Sequence, residues 1–252
     1  MLFGLSLMRL DLATWLEVGA YLDDSSGIFL PAGSTEQHGP MGLIGTDVLC
    51  AELIATKAAE ITKTYVAPTL AYTPAPFNTS FPGTLSVSET VFEAMVRELF
   101  LGLIAQGFCH IYVVNGHGAN IRPIKKAASD LYRGRIRVMS WWDFNEVDIL
   151  RRQLYGEWEG MHATPSEISI TQTSHRIIPS DTFKEPPEAL SANYLRAHSG
   201  DRHGPPEEHR KRFPDGRIGS HSALAHPEHG KILLDAATTA LVADYYAFRD
   251  AN

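Results

Sequence analysis

Three short segments of this chain concentrate the residue types that bind metal ions and move protons. In the first, residues 33–47, Glu36 and His38 stand two positions apart directly after an apolar run, and Asp47 closes the segment. Extended backbone points side chains two apart in the same direction. Two carboxylates with an imidazole suit Zn²⁺, Mn²⁺ or Fe²⁺, which accept mixed nitrogen and oxygen ligands. A polar turn followed by an N-cap Asp is the alternative, and this segment alone does not exclude it.

The second segment is NGHGAN at residues 115–120, which follows a strand-like apolar run at 109–114. His117 lies between Gly116 and Gly118, and glycines allow the backbone to approach a ligand closely. We therefore predict that His117 faces a bound group rather than the core. A phosphate cradle is the alternative, but the glycine spacing matches neither a P-loop nor a dinucleotide-binding fingerprint.

The third segment, residues 158–167, reads WEGMHATPSE. Pro165 predicts the start of a helix with Glu167 in its first turn. His162 falls in the preceding loop, where it is free to carry protons. Taken alone, such a pair is more typical of surface or capping chemistry, so its predicted role depends on the other two segments.

The alternation of short apolar runs with longer amphipathic ones predicts an α/β fold. We expect strands at residues 28–31, 65–70, 109–114 and 136–140, and helices at 11–22, 46–62, 89–105, 121–132, about 143–154 and about 228–249. In the helix 89–105, which Ser88 caps, apolar residues recur every fourth position at Val91, Met95, Leu99 and Leu103. Residues 181–219 are rich in Pro, Gly, His and charge, which indicates a functional loop or a subunit-contact arm.

Composition narrows the class of protein. The chain has 252 residues, of which 44% are hydrophobic and 20% charged, so we expect one globular domain over residues 1–252. A net charge of −7 without a basic run argues against nucleic acid as the main partner. Cys50 and Cys109 both lie in apolar segments, which argues against a disulfide framework. No signal-peptide pattern and no apolar stretch of about 18 residues is present, so we expect a cytoplasmic protein without a membrane partner.

Together and in this order, the three segments resemble the creatininase family of amidohydrolases. The resemblance is carried by LPAGSTEQHGP (30–40) with GTD (45–47), FPGTLS (81–86), VNGHGAN (114–120), HATPSEIS (162–169) and HPEHGKILLDAA (226–237). It implies a three-layer α/β/α sandwich with a mostly parallel central sheet. It also implies two divalent metal ions per chain (Zn²⁺, Mn²⁺ or both, with Fe²⁺ as a further candidate), a small-molecule amide substrate and a homo-hexamer.

The resemblance assigns metal-binding roles to four residues. Glu36 matches a ligand of one metal, and His117 completes that site. His38 matches a ligand of the other metal. Asp47, the Asp of GTD, matches the carboxylate that bridges both ions.

The resemblance also implies which residues meet the substrate. Ser80, just before FPGT, and Trp158 match positions that contact or cover substrate, and we expect Gly118 and Glu159 beside them to do the same. His162 matches the histidine that transfers a proton.

One departure from the family pattern affects the second metal. Creatinine-hydrolysing members resemble NGHYEN in the second segment, where the Glu ligates that metal, whereas this chain has Gly118 and Ala119. Relatives with NGHGGN carry a Glu in a HAGExETS-like segment, and Glu167 occupies the matching position. We therefore predict that Glu167 is the replacement ligand and part of the catalytic set. The same departure weakens creatinine itself as the substrate.

The expected reaction is hydrolysis of a cyclic or other non-peptide amide. A hydroxide that bridges the two metals attacks the carbonyl, and His162, with an ordinary imidazole pKa near 6.5, donates a proton to the leaving nitrogen. The alternatives are a deformylase acting on a pyrimidine intermediate, a hydrolase of short peptides, a non-catalytic metal- or nucleotide-binding module, and a degenerate member retained for assembly. Seven further histidines fall in or beside residues 181–229, and we expect most of them to be solvated and about one or two to reach an active site across a subunit boundary: His175, His198, His203, His209, His221, His226 and His229.

Overall fold

The structure is a computed structural model that describes residues 8–131, 135–179 and 183–251. Its central sheet contains strands β1 (Gly27–Ala32), β2 (Tyr65–Val66), β3 (His110–Asn115) and β4 (Ile136–Ser140) in the order β2-β1-β3-β4. Every pairing in this sheet is parallel. Parallel neighbours need a crossover connection, and helices between successive strands provide it.

Most of the predicted helices agree closely with the structure, but the first, predicted over residues 11–22, covers Trp15–Asp24 because Thr14 caps it. The helices of the structure are α1 (Trp15–Asp24), α2 (Thr46–Thr62), α3 (Glu89–Gln106), α4 (Ile121–Ala128), α5 (Asn145–Tyr155), α6 (Pro165–Gln172), α7 (Ala192–Ala197), α8 (Pro206–Arg212) and α9 (Pro227–Asp250). The predicted helix 121–132 ends at Ala128, and its last predicted residue lies outside the described ranges. Residues 181–219 contain α7 and α8, although 181 and 182 are also outside those ranges. Within the described ranges, no helix has the length and apolar character needed to cross a membrane.

The sheet separates two apolar clusters, because successive side chains of a strand point to opposite faces. Phe29 and Tyr112 face a cluster that α2, α5, α6 and α9 complete. Ile28, Leu30 and Ile111 face a second cluster that is formed with α3 and α4. These two layers of helices around one parallel sheet confirm the expected three-layer α/β/α sandwich.

Helix α3 buries a different face from the one that its every-fourth-residue pattern indicates. Val91 remains 58% exposed, Met95 38% and Leu99 39%, while the residues that follow them in sequence are buried. The buried set is Phe92, Val96 and Phe100. The helix is apolar on two adjacent faces, and the larger aromatic side chains occupy the core because they remove more apolar surface from water.

Two glycines allow the start of α2 to contact the carboxyl ends of β1 and β3. A Cβ atom on Gly33 would lie 2.3 Å from the backbone nitrogen of Val48, and one on Gly116 would lie 2.4 Å from the carbonyl oxygen of Asp47. Both distances are too short for any side chain. The first turn of α2, which carries Asp47, is therefore held between the two strand ends.

Candidate metal centre

Four of the predicted ligands meet at the carboxyl edge of the sheet. Glu36 and His38 follow β1, His117 follows β3, and Asp47 lies in the first turn of α2. Glu36 and His38 are fully buried, and Asp47 and His117 are each only 3% exposed. Burial of a carboxylate is costly unless a positive charge compensates for it. The two buried carboxylates therefore favour the binding of cations at this edge of the sheet.

Glu36, Asp47 and His117 form what we call the first metal position. Nε2 of His117 lies 2.8 Å from the carbonyl oxygen of Pro74, which can only accept, so Nε2 carries the proton. The lone pair of Nδ1 then faces Oε1 of Glu36 and Oδ2 of Asp47, each 3.1 Å away. These two buried oxygens have no hydrogen-bond partner. Three unprotonated donors that face one point fit a divalent metal ion.

His38, Asp47 and Glu167 form the second metal position. Nδ1 of His38 is 3.1 Å from the carbonyl oxygen of Glu36 and donates to it, which leaves Nε2 as a ligand atom. Nε2 lies 2.8 Å from Oδ1 of Asp47 and 3.9 Å from Oε1 of Glu167. The ligand atoms of each trio lie within 4.8 Å of one another. Asp47 directs one oxygen to each position, as a bridging carboxylate would.

The pKa values of these groups show that the centre attracts positive charge. Burial opposes a charge on His38, but Asp47 and then Glu167 outweigh it and raise its pKa to about 10. Burial also opposes a charge on His117. The neighbouring carboxylates, of which Glu36 has the largest effect, nevertheless hold its pKa well above the ordinary value. Without metal, protons occupy the positions that ions would take, and metal binding displaces such protons.

Glu167 caps a helix and also faces the second metal position, where its role as a ligand stays a prediction. It closes a capping box on α6: Thr164 Oγ1 accepts from its backbone nitrogen (3.2 Å), and Thr164 N donates to its Oε1 (2.5 Å). The same Oε1 faces His38. Burial raises the pKa of Glu167 to about 7, although the charge on His38 opposes this shift. The capping bonds fix the carboxylate in the orientation that a ligand needs.

His162 lies directly beside the two metal positions, and its ring centroid is 4.4 Å from that of His38. Its Nε2 is 2.6 Å from the carbonyl oxygen of Gln37 and therefore donates, while Nδ1 lies 3.7 Å from Oε1 of Glu36. Burial, together with the charge on His38, lowers its pKa to about 3. The expected ordinary imidazole pKa is wrong here: His162 is neutral at pH 7 and can accept a proton before it donates one.

A cavity of about 530 Å³ opens onto the metal positions. Its lining includes the predicted residues Asp47, His117, Gly118, His162 and Glu167. It also includes residues that sequence reasoning missed, namely Trp141, Trp142, Asp148, Arg151, Leu195, Ser199 and Asp201. None of these belongs to a metal-ligand pattern, so their role depends on tertiary structure alone.

Three predicted substrate contacts lie outside this lining. The hydroxyl of Ser80 donates to Oε1 of Glu207 at 2.9 Å, so it is engaged with α8. The ring of Trp158 packs edge-on against His221, with centroids 6.0 Å apart. Their contact with substrate stays a prediction that this arrangement does not support.

Glu159, the third of these residues, acts behind the cavity wall. Its Oε1 accepts from Nε of Arg151 at 2.8 Å and from the hydroxyl of Ser166. Arg151 itself lines the cavity. Glu159 therefore orients a residue of the wall, and a direct contact between Glu159 and substrate stays a prediction.

Two of the seven histidines that were expected to be mostly solvated have buried side chains. The side chain of His203 is 1% exposed and His209 is 4% exposed. Their rings lie 4.8 and 5.1 Å from the ring of Phe77. The pattern of residues 181–219 concealed this packing because apolar partners come from a distant segment.

Asp201 is the most notable residue that the sequence did not reveal. It lies between α7 and α8, and its Oδ2 is 3.7 Å from Nδ1 of His117. Burial raises its pKa to about 6, although the charge on His117 opposes this. No local motif surrounds it, so no sequence signal could have identified it.

A parallel α/β sheet whose carboxyl edge gathers two trios of carboxylates and imidazoles beside a neutral histidine defines a metal-dependent hydrolase. A family model described as "Creatininase: Creatinine amidohydrolase" matches residues 11–245. The chain belongs to the creatininase family, and the expected enzyme class, a hydrolase of carbon–nitrogen bonds, is confirmed.

Individual relatives differ in what they act on. A creatinine amidohydrolase from Pseudomonas putida is 29% identical over 176 residues, which cover 62% of this chain and 68% of that protein. A mycofactocin precursor peptide peptidase from Mycolicibacterium smegmatis is 33% identical over 115 residues, which cover 43% of this chain and 46% of the peptidase. The chain thus aligns with about two thirds of the first relative and under half of the second.

Solved creatininase structures share the fold over nearly the full length. A creatinine amidohydrolase superposes with a TM-score of 0.80 at 21% identity, covering 94% of this chain and 96% of the other. A Zn–Zn form of a creatininase variant gives 0.78 at 23% identity, and a manganese creatininase gives 0.79 at 22%, both with the same coverage. Identity at this level establishes the fold, and the donor set of this chain supports its use of divalent metal.

Proposed function

We propose that this protein is a creatininase-like amidohydrolase that uses two divalent ions to hydrolyse a small amide. The observation that carries the proposal is the position of Asp47. One of its oxygens lies 3.1 Å from Nδ1 of His117 and the other 2.8 Å from Nε2 of His38. A single carboxylate between two imidazole lone pairs is the arrangement that a pair of ions requires. Zn²⁺ and Mn²⁺ both accept these donors and are found in the related creatininases.

Bound ions of this kind lower the pKa of water and polarise a carbonyl oxygen. The chain's own residues supply the rest of the chemistry. The ions would be held by the donors of the two metal positions: Glu36, His38, Asp47, His117 and Glu167. His162, neutral and beside the metal positions, accepts the proton of the attacking water and passes it to the leaving nitrogen. In this order of proton transfers, His162 first acts as the base and then takes the predicted role of proton donor.

The cavity favours a small molecule as substrate. Its volume of about 530 Å³ lies within the roughly 300–1,000 Å³ of ordinary ligand sites. Creatinine is not assigned, because Gly118 and Ala119 replace the residues that creatinine-hydrolysing members carry there. A formamide of the pyrimidine-intermediate type remains the second candidate from the sequence, and short peptides, which the sequence also allows, form a third class that the peptidase relative supports.

The test combines metal analysis with turnover. We expect two divalent ions per purified chain, and turnover of at least one member of a panel of cyclic amides, formamides and short peptides. A chelator should abolish turnover, and Zn²⁺ or Mn²⁺ should restore it. Two bound ions without turnover of any member would support the non-catalytic binding module and contradict the proposal.

Substitution of the ligands tests the assignment directly. Glu36→Ala and His117→Ala should each lose at least one ion, because each removes a donor of the first metal position. Asp130→Asn is the matched control, since it changes a carboxylate whose side chain is 64% exposed and paired with Arg97. A Glu36→Ala variant that kept both ions would contradict the ligand set.

A further inference from the structure

The segment from α7 to α8, residues 192–212, which we call the arm, brings a carboxylate to the metal centre. Oδ2 of Asp201 lies 3.7 Å from Nδ1 of His117, and the Asp201 side chain is only 11% exposed. We propose that Asp201 is an additional ligand of the first metal position, so that the bound ion ties the arm to the sheet. This inference rests on the metal centre proposed above and adds a residue to it.

The distance between Asp201 and His117 fits two ligands of one ion. Two donors that each lie about 2.1 Å from one metal are separated by roughly 3 to 4 Å at ordinary coordination angles. Oε1 of Glu36 and Oδ2 of Asp47 lie 3.1 Å from Nδ1 of His117. Oδ2 of Asp201, at 3.7 Å from the same nitrogen, falls in the same range. Asp201 lies outside the trio whose ligand atoms are all within 4.8 Å of one another, so its carboxylate has to move toward Glu36 and Asp47 when the ion binds. This carboxylate approaches from the arm, whereas the other three donors approach from the sheet and α2.

Gly118 provides the space that Asp201 uses. A Cβ atom on Gly118 would lie 2.3 Å from Oδ2 of Asp201. Any side chain at position 118 would therefore displace the carboxylate from His117. The arm turns toward the site at Gly200 and Asp201, which have φ values of +72° and +55°. Asp is among the few residues other than glycine that adopt this left-handed conformation readily.

A charged His117 faces the Asp201 carboxylate in the absence of metal, and it would give up its Nδ1 proton to a bound ion. The backbone N–H of Ala119 donates to this carboxylate, but that group carries no net charge. Nε2 of His203 lies 3.9 Å from Oδ1, beyond hydrogen-bond distance. Two further oxygens nearby, Oε1 of Glu36 and Oδ2 of Asp47, are buried without a hydrogen-bond partner. The negative charge of Asp201 is repelled by those of Glu36 and Asp47. A divalent ion bound between the three carboxylates would compensate for their charges.

Asp201→Asn tests the role of the charge with little change in shape. We expect this variant to bind one of the two ions about 10–100-fold more weakly, a range typical for loss of a supporting group around a metal. The other ion should bind as in the wild-type protein. Titration of metal-free protein with Mn²⁺, followed by electron paramagnetic resonance and by competition with a chromophoric chelator, measures both affinities without reference to turnover.

Two further variants separate coordination from simple docking of the arm. Glu207→Gln removes an arm carboxylate that binds the hydroxyl of Ser80 and should leave both metal affinities unchanged. Gly118→Ala should weaken the same ion as Asp201→Asn, and the double variant should be little weaker than either single one, because both changes remove one interaction.

The outcomes distinguish this inference from the proposed function. Wild-type protein that binds no ions would refute the metal centre itself. Wild-type protein that binds two ions, beside an Asp201→Asn variant with unchanged affinities, would refute only the role of Asp201. An equal loss of affinity in Glu207→Gln would also refute it, because arm docking rather than coordination would then explain the effect.

Discussion

His38 and His162 are neighbouring imidazoles with opposite protonation states. Facing carboxylates raise the pKa of His38 to about 10 against the effect of burial, whereas burial beside that charge lowers the pKa of His162 to about 3. Two groups whose environments separate their pKa values in this way commonly divide acid and base roles. His38 is therefore suited to hold an ion in place of its proton, and His162 to act as the base.

Replacement of His162 should affect turnover more than metal binding. In His162→Gln we expect kcat on the best substrate of the panel to fall by about 10²–10⁴-fold, the usual contribution of general acid–base catalysis. The metal content should stay at the wild-type value, because His162 is not one of the proposed ligands and the metal positions keep all of their donors. His175→Gln, which changes an exposed histidine, is the matched control. Loss of an ion from His162→Gln would instead make this residue a ligand.

At the scale of secondary-structure elements, the sequence predicted the helices and strands whose apolar pattern is long enough to recognise. Helix α2 (Thr46–Thr62) and strand β4 (Ile136–Ser140) have the predicted bounds. The predicted strand 65–70 shortens to Tyr65–Val66, because Pro68 lacks the N–H that a ladder needs. The six and seven residues of α7 and α8 are too few to show a helical period, so the arm could not be predicted.

In the candidate site too, the sequence predicted the residues that have a local signal and missed the one that has none. Glu36, His38, Asp47 and His117 lie next to strand ends, where the order of the chain indicates that they meet. Asp201 lies about 80 positions from the nearest of them and depends on how the arm folds back, which no local pattern reports. The sequence could therefore indicate the ligands on the sheet but not the one that we assign to the arm.

Acidification should destabilise the packing of helix α8. Burial, with a smaller effect from Arg212, lowers the pKa of His209 to about 4, and its Nε2 has no hydrogen-bond partner. The unfolded chain takes up a proton near pH 6.5 whereas the folded chain does not, so the contribution of His209 to stability is present above pH 6.5 and is lost as the pH falls toward 4. At pH 5 the loss is about 2 kcal/mol relative to pH 8.

Urea unfolding at pH 8 and pH 5 measures this effect. The free energy of unfolding should fall more steeply with acidification in wild-type protein than in His209→Gln, by about 2 kcal/mol, because the variant has no proton to take up. Both proteins are compared in the same chelator-containing buffer, and His175→Gln serves as the exposed control. Parallel pH dependences in wild type and His209→Gln would contradict the prediction.

At the scale of the whole molecule, large apolar side chains remain exposed at several places, among them the start of α1 and one face of α3. Trp15 is 81% exposed and Leu16 63% exposed at the start of α1, and Val91, Met95 and Leu99 form a stripe on α3. Contiguous exposed apolar surface is typical of contacts between subunits. These faces support the expected homo-hexamer, which stays a prediction. The expectation of one domain also stays a prediction, supported by the sheet that both core clusters share.

Sedimentation velocity should give the mass of six copies of a 27.8-kDa chain. A double substitution on the α3 stripe, Val91→Glu with Met95→Glu, should lower the mass because it places charge in a contact that excludes water. Asp130→Asn, a change at an exposed carboxylate outside α3, should leave the mass unchanged. A wild-type mass of one chain at micromolar concentration would contradict the hexamer.

Gly33 and Gly116 have a consequence for laboratory evolution of this enzyme. Backbone atoms of α2 occupy the space where their side chains would be, so no rotamer change elsewhere can admit even an alanine at either position. A mutant library that aims at a new substrate should keep both glycines invariant. Its diversity belongs at cavity-wall positions such as Trp142, Leu195 and Ser199, where side chains can be exchanged without moving the ions.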